Sequence, residues 1–369
     1  MIRFWLPVSC LALLLVALLA RGACAQQNPD GRLLLSKIED PLILLLRDEE
    51  VFRELKVTPA QRKSLQQLAD RLDLLVWPAR NRTLEQARAA WSDATTQARS
   101  EAANLLDSRQ QERLNQILYW LQGTAAIGRD DVADKLKFTN AQRQSIAEIL
   151  DKTADSLREL QEQAANGEPL KPIESKIRTL KQNELRQINR LLNDSQRVGA
   201  VQMLGKTLDV TKLGRITFAA PALIADDEDW LDPAHARTQL PGHVAAVHFF
   251  ANGCINCIRN YEHYNNWEAD FRDKGLLIIG IHTPETEGEK DRDRLREKVK
   301  EAGFAFPILV DNQLANWNAW GNSMWPSVYL IDRRGRIRYW WYGELNWQGS
   351  EGEAQLRRRI EELLAESAE

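Results

Sequence analysis

"FFANGCINCIRN", residues 249–260, places two of the chain's four cysteines two residues apart. Three chemistries use that spacing: a structural metal site, a covalent haem anchor and a dithiol redox pair. A structural zinc takes four ligands, commonly two such pairs, or one pair with two histidines at helical spacing. This chain has no second pair, and nothing in the sequence couples His263 or His282 to the cysteines. Haem attachment needs a histidine directly after the second cysteine, and residue 258 is Ile. Redox chemistry remains, and it calls for no cofactor and no metal.

The flanking residues favour it. "HVAAVHFF" (243–250) reads as a short apolar strand, and "INCIRNYEHYNNWEADFRDKG" (255–275) as a helix that stops at Gly275. Cys254 then falls at a helix N-terminus, where unpaired N–H groups and the positive dipole end stabilise a thiolate. A lowered pKa makes Cys254 the candidate nucleophile. Cys257, one turn on, is the candidate resolving thiol. Beyond it, "LLIIGIHT" (276–283) and "FPILVD" (306–311) read as buried strands on either side of a charged amphipathic helix (288–304). A short helix follows at 313–321, then strands at 327–332 and 337–343 joined by the turn "RRGR", then a last helix at 351–366. This order predicts an α/β sandwich with a mixed sheet.

From about residue 213 to 367 the chain resembles a thioredoxin-superfamily domain, in particular the extracytoplasmic TlpA- and ResA-like reductases and the redoxin domain of DipZ-type proteins. The resemblance is carried by "CINCIRN", "GLLIIGIHTPE", "FPILVDNQLANWNAWGN", "WPSVYLIDRRGRIRY" and "YGE", in family order and spacing. It implies a thiol–disulfide oxidoreductase, on the reductase side, acting on disulfide-containing exported proteins and recharged by an upstream membrane or periplasmic electron donor. It also implies a cis-proline facing the cysteines, matched by Pro326, with the backbone of Trp325 open to pair with an extended substrate and Trp325 itself touching it. Two departures stand out. The family's buried carboxylate six residues before the first cysteine is His248, and the glutamate three residues after the second is Asn260. His248 is therefore the candidate proton acceptor, since imidazole titrates near neutral pH; the alternative is a core histidine bonded to the backbone. Glu285 is a more distant candidate base. The aromatic residue that usually precedes the first cysteine is Gly253, which implies a more open site where substrate would lie.

A thiol peroxidase is a second enzyme class. It uses a Pro-x-x-x-Thr/Ser-x-x-Cys loop, and here Phe250 stands near the hydroxyl position with no proline ahead of it.

Residues 38 to 210 read as helix throughout, rich in Leu, Ala, Gln, Arg and Glu. "ELKVTPAQRKSLQQL" (54–68) matches "KLKFTNAQRQSIAEIL" (135–150), with weaker echoes at 105–118 and 191–204. Each copy has the form of a capping box: Thr58, Asp107, Thr139 and Asn193 at N-cap, with Gln61, Gln110, Gln142 and Gln196 three residues on. Strong and weak copies alternate at about 80 residues, the pattern of a duplicated helical hairpin. The motifs also resemble the LTxxQ repeats of CpxP/Spy-type periplasmic proteins, which implies a chaperone or stress sensor with an accessory redoxin domain as an alternative function. Well-started helices explain the same residues without any function. The expected fold class is thus multidomain: an all-α helical domain over 26–211, then an α/β thioredoxin fold over 212–369.

Residues 1–25 read as a signal peptide. Arg3 precedes an apolar stretch from Phe4 to Ala20, and Ala23-Cys24-Ala25 fits a cleavage site. An uncleaved N-terminal segment would anchor the protein to the membrane. Both place the domain in the periplasm or another extracytoplasmic space. Cleavage would remove Cys10 and Cys24 and leave only the Cys254–Cys257 pair. The formal charge of −3 and the lack of a basic run argue against nucleic acid as a partner.

Overall fold

The computed structural model describes residues 40–165, 169–209, 212–214, 217–235 and 238–367. The expected export segment, with Cys10 and Cys24, lies outside them. No helix among the described residues is long and apolar enough to cross a membrane.

A helical N-terminal region precedes a C-terminal α/β domain built on one mixed sheet. The helices are α1 (Leu42–Leu45), α2 (Glu49–Leu55), α3 (Pro59–Val76), α4 (Leu84–Leu105), α5 (Ser108–Gln122), α6 (Asp130–Lys135), α7 (Asn140–Ala165), α8 (Leu170–Leu191) and α9 (Asp194–Gln202). The chain divides into two compact units that do not follow the linear boundary at 211/212. Among the described residues, one holds those of 40–69 and 95–214; the other holds 70–94 together with those of 217–367.

In the first unit all four expected caps form. The Gln61 and Gln142 side chains each accept from the N–H of the threonine three residues back, at 2.9 and 3.0 Å. Asp107 with Gln110 and Asn193 with Gln196 complete reciprocal capping boxes. The glutamines then do more than cap. Gln61 Nε2 donates to the Leu105 carbonyl and to Gln110, and Gln110 Nε2 donates to the Leu55 carbonyl and back to Gln61. Gln142 and Gln196 repeat the clasp on the Leu191 and Leu136 carbonyls. Lys56 and Lys137, at matching places before the two threonines, both take left-handed backbone. Each clasp thus satisfies carbonyls that helix ends leave open.

In the second unit, β1 (Phe218–Ala219), β2 (Val244–Phe250), β3 (Leu276–His282), β4 (Ile308–Val310), β5 (Ser327–Ile331) and β6 (Arg336–Tyr342) form one sheet in the order β1-β6-β5-β2-β3-β4. β2, β3 and β4 run parallel; β5, β6 and β1 pair antiparallel in turn. The helices here are α10 (Ile255–Ile258), α11 (Tyr261–Phe271), α12 (Arg292–Glu301), α13 (Ala315–Ala319) and α14 (Gly352–Ala365). Every residue of β2 is buried, as its uninterrupted apolar run requires. The single helix expected over 255–275 is broken at Arg259-Asn260. Asn260 turns its buried side chain to the segment after β6, accepting from Leu345 N–H at 3.0 Å and donating to the Gly343 carbonyl. Residues 70–94 join this unit through the turn between α3 and α4. Trp77 packs on Phe218 and edge-on to Trp340, and Asp73 accepts from the Ala219 N–H at 2.7 Å.

Candidate functional site

The parallel strands all end at one sheet edge, where open α/β sheets gather their ligands. The loop after β2 carries the cysteines, and the loop after β3 carries Glu285 and Glu289. Asp311 follows β4. Because β5 runs antiparallel to β2, with Ser327 opposite Phe249, the start of β5 lies at the same edge. Pro326 precedes it, and the Trp325–Pro326 peptide is cis.

Both cysteines are free thiols, Cys254 half-buried and Cys257 fully buried. Cys254 is the N-cap residue of α10. Its pKa is lowered to about 7, first by the hydrogen bond from the Cys257 thiol; burial opposes this, the Cys257 and Asn256 N–H groups support it, and the Glu285 charge raises it. The main cause is thus the partner thiol rather than the long-helix dipole that the sequence suggested, since α10 is a single turn. Cys257 is pushed far above its ordinary value, first by burial and then by its bond to Cys254. The two thiols therefore differ sharply in ionisation.

Gly253 is exposed and leaves the approach to Cys254 free of a side chain, yet space is not the only reason for glycine. A Cβ there would come within 2.5 Å of Glu289 Oε1. That carboxylate is buried and bridges two loops: Oε1 accepts from Gly253 N–H at 2.8 Å, and Oε2 from Glu285 N–H at 2.6 Å and Thr286 N–H at 3.2 Å. Sequence reasoning missed Glu289, which falls at the start of the expected charged amphipathic helix (288–304). The signal was present: Thr286-x-x-Glu289 is a capping box, and it closes here.

Trp325 is partly buried. Its indole N–H donates to the Thr283 carbonyl at 3.0 Å, and its ring stacks on Trp317 with centroids 4.0 Å apart. Trp317 is in turn anchored by its N–H to Asp311 Oδ2 at 2.8 Å. Asp311 was also missed; burial raises its pKa against four hydrogen bonds.

His248 does not join the site. Its ring is fully buried, stacked on Tyr264 at 4.2 Å and edge-on to Phe304 and Phe306. Neither nitrogen has a hydrogen-bond partner among the described residues, so it bonds neither thiol. Burial lowers its pKa to about 3, which makes it a poor proton acceptor. His248 thus sits as a core histidine without a backbone bond to its ring.

Residues 217–340 match the model of the AhpC/TSA family. Among curated proteins the chain is similar to Protein DipZ of Mycobacterium tuberculosis, 39% identical over 105 residues, or 28% of this chain and 15% of DipZ. It is also similar to the thiol-disulfide oxidoreductase YkuV of Bacillus subtilis, 26% identical over 39% of this chain and 93% of YkuV. The chain thus spans only 15% of the length of the DipZ relatives it matches. Among solved structures it is similar to a putative thiol:disulfide interchange protein DsbE from Chlorobium tepidum, with 18% identity and a TM-score of 0.29, covering 32% of this chain and 81% of that one.

Proposed function

We propose, from a C-terminal part that is an AhpC/TSA-type redoxin domain of the thioredoxin-like thiol–disulfide oxidoreductase family, that Cys254 and Cys257 exchange disulfides with other proteins, acting as a reductase outside the cytoplasm. The observation that carries this reading is the half-buried Cys254 thiol held by a fully buried Cys257.

The Cys254 thiolate attacks one sulfur of a target disulfide. A Cys254–target mixed disulfide forms and the target's other sulfur leaves as a thiolate. Attack removes the negative charge from Cys254, and with it the bond that kept Cys257 protonated. Cys257 then gives its proton to the departing thiolate and attacks Cys254 Sγ. The Cys254–Cys257 disulfide closes and the second target thiolate is released. The target gains two electrons and this protein loses two; an upstream dithiol donor restores them. The target strand is laid along the Trp325–Pro326 edge, and Gly253 leaves the approach to Cys254 without a side chain.

The peroxidase alternative gains nothing from the site, because Phe250 turns its buried ring onto Tyr261 and His282. In the helical unit the four repeats are fully employed as caps and clasps, and we assign them no chemistry. Cys257→Ala in the full chain tests the reading. It is expected to accumulate mixed disulfides with exported proteins that a thiol reductant releases, while Cys254→Ala traps none. Equal trapping by both variants, or none by either, would refute it.

A further inference from the structure

Arg80 is buried, and its acceptors are all neutral. It lies in the turn between α3 and α4, far from the redoxin residues in sequence but within the same compact unit. Nε donates to Tyr342 Oη at 2.8 Å, Nη2 to Tyr329 Oη at 2.7 Å, and Nη1 to the carbonyls of Trp77 and Trp320 at 2.8 and 2.7 Å. The guanidinium also lies 3.8 Å above the Trp77 ring. A buried charge is tolerated only when its donors are matched, and here each guanidinium nitrogen has an acceptor.

What Arg80 grips is the approach to the site. Trp320 opens the turn that leads through Asn322 to Trp325 and Pro326. The next residue, Asn81, donates to the Gly321 carbonyl at 2.8 Å. Tyr329, which accepts from Arg80, donates onward to Asn322 Oδ1. Gly321 has a left-handed φ of +61°, and a Cβ on it would come within 2.4 Å of Pro78 Cα, so the two turns meet backbone to backbone. The segment is pinned upstream where Asp311 holds Trp317, and in its middle where Arg80 holds Trp320.

Resting on the exchange reading above, we propose that Arg80 is a positioning residue for substrate: it fixes the Trp320–Asn322 turn and thereby the Trp325–Pro326 edge against which a target strand is laid. The helical half of the sequence thus braces the substrate-binding face and takes no part in the thiol chemistry. Arg80 touches neither cysteine, so it acts on binding and leaves thiol reactivity alone.

The test uses the full chain with Arg80→Met, Arg80→Lys and Tyr342→Phe, which removes the Nε acceptor but keeps the ring. Hydrogen exchange over 317–326 is expected to quicken about tenfold in Arg80→Met, with 251–258 unchanged, because a local opening loses its main restraint. KM for a disulfide-bonded peptide is expected to rise about tenfold at nearly constant kcat, the mark of lost binding. Alkylation of Cys254 by iodoacetamide stays as in the parent. Lysine does not rescue, because it cannot reproduce the fork. If Arg80→Met does not fold, Tyr342→Phe decides, with exchange over 317–326 about threefold faster for the loss of the bonds that Tyr342 Oη accepts from Arg80 and Asn81. Unchanged exchange over 317–326 in the folded variants overturns the proposal. Faster exchange there in a protein whose parent exchanges no disulfides supports the positioning and removes the reading on which its purpose rests.

Discussion

His248 and His282 give the mixed-sheet unit a pH dependence whose size can be worked out. Both imidazoles are fully buried on one face of the sheet, and none of their four nitrogens has a hydrogen-bond partner among the described residues. Burial lowers their pKa values to about 3 and about 4. In the unfolded chain each titrates near the ordinary value of about 6.5. The folded values lie below the unfolded ones, so the unfolded state binds more protons in between. The stabilising contribution is therefore complete above about pH 6.5 and is lost as pH falls towards 4 for His282 and 3 for His248. At pH 5 the unfolded chain is 1.5 pH units below its own pKa, which at about 1.4 kcal/mol per unit costs about 2 kcal/mol for each histidine. Between pH 7 and 5 the pair removes about 4 kcal/mol from the stability of this unit. His248→Phe keeps the stack on Tyr264, leaves no donor or acceptor stranded, and should halve that loss to about 2 kcal/mol. Urea unfolding at the two pH values, followed by tryptophan fluorescence, measures it, since most of the twelve tryptophans lie in this unit. Any overpacking by the phenyl ring shifts both pH values alike and cancels in the difference. The same variant is expected to keep disulfide exchange within a few-fold of the parent, because His248 bonds neither thiol. An unchanged pH 7-to-5 loss, or loss of exchange in a stable variant, would refute this account of His248.

Two further substitutions test the architecture. Gly253→Ala drives a Cβ towards Glu289 Oε1 and is expected to cost about 1–2 kcal/mol through the displaced Gly253 N–H bond. In a Glu289→Ala background the same change should cost almost nothing, and a double-mutant cycle by urea unfolding reads the coupling. Gln61→Ala removes a cap and one arm of a clasp and is expected to destabilise the helical unit by about 2 kcal/mol, read from its helical circular dichroism melt. Gln142→Ala should behave alike, because the second clasp repeats the first.

Much of this was legible in the sequence because it is local. β2, β3, β4, β5 and β6 follow from apolar runs of strand length, and the four caps from a Thr/Asp/Asn-x-x-Gln spacing. The position of Cys254 before a helical turn follows from the strand ahead of it. What escaped depends on distant partners. The break at Asn260 answers to Gly343 and Leu345, more than eighty residues away. β1 has two residues and owes its place to β6 and Asp73. The amphipathic pattern of residues 70–94 shows a buried face but cannot say which core buries it, and Trp77 and Arg80 pack with residues more than a hundred positions on. Glu289 was hidden in a run of charges that periodicity assigns to solvent. His248 was misjudged because position in the family pattern says nothing of the four aromatic rings around it.

The pH dependence of alkylation at each cysteine, followed by mass spectrometry on the reduced full chain, tests the thiol pair most directly. Cys254 is expected to react with a midpoint near pH 7 and Cys257 to stay unreactive throughout the range in which the protein is folded. Two cysteines that react together with a midpoint near 8.5, as free thiols do, would contradict this expectation.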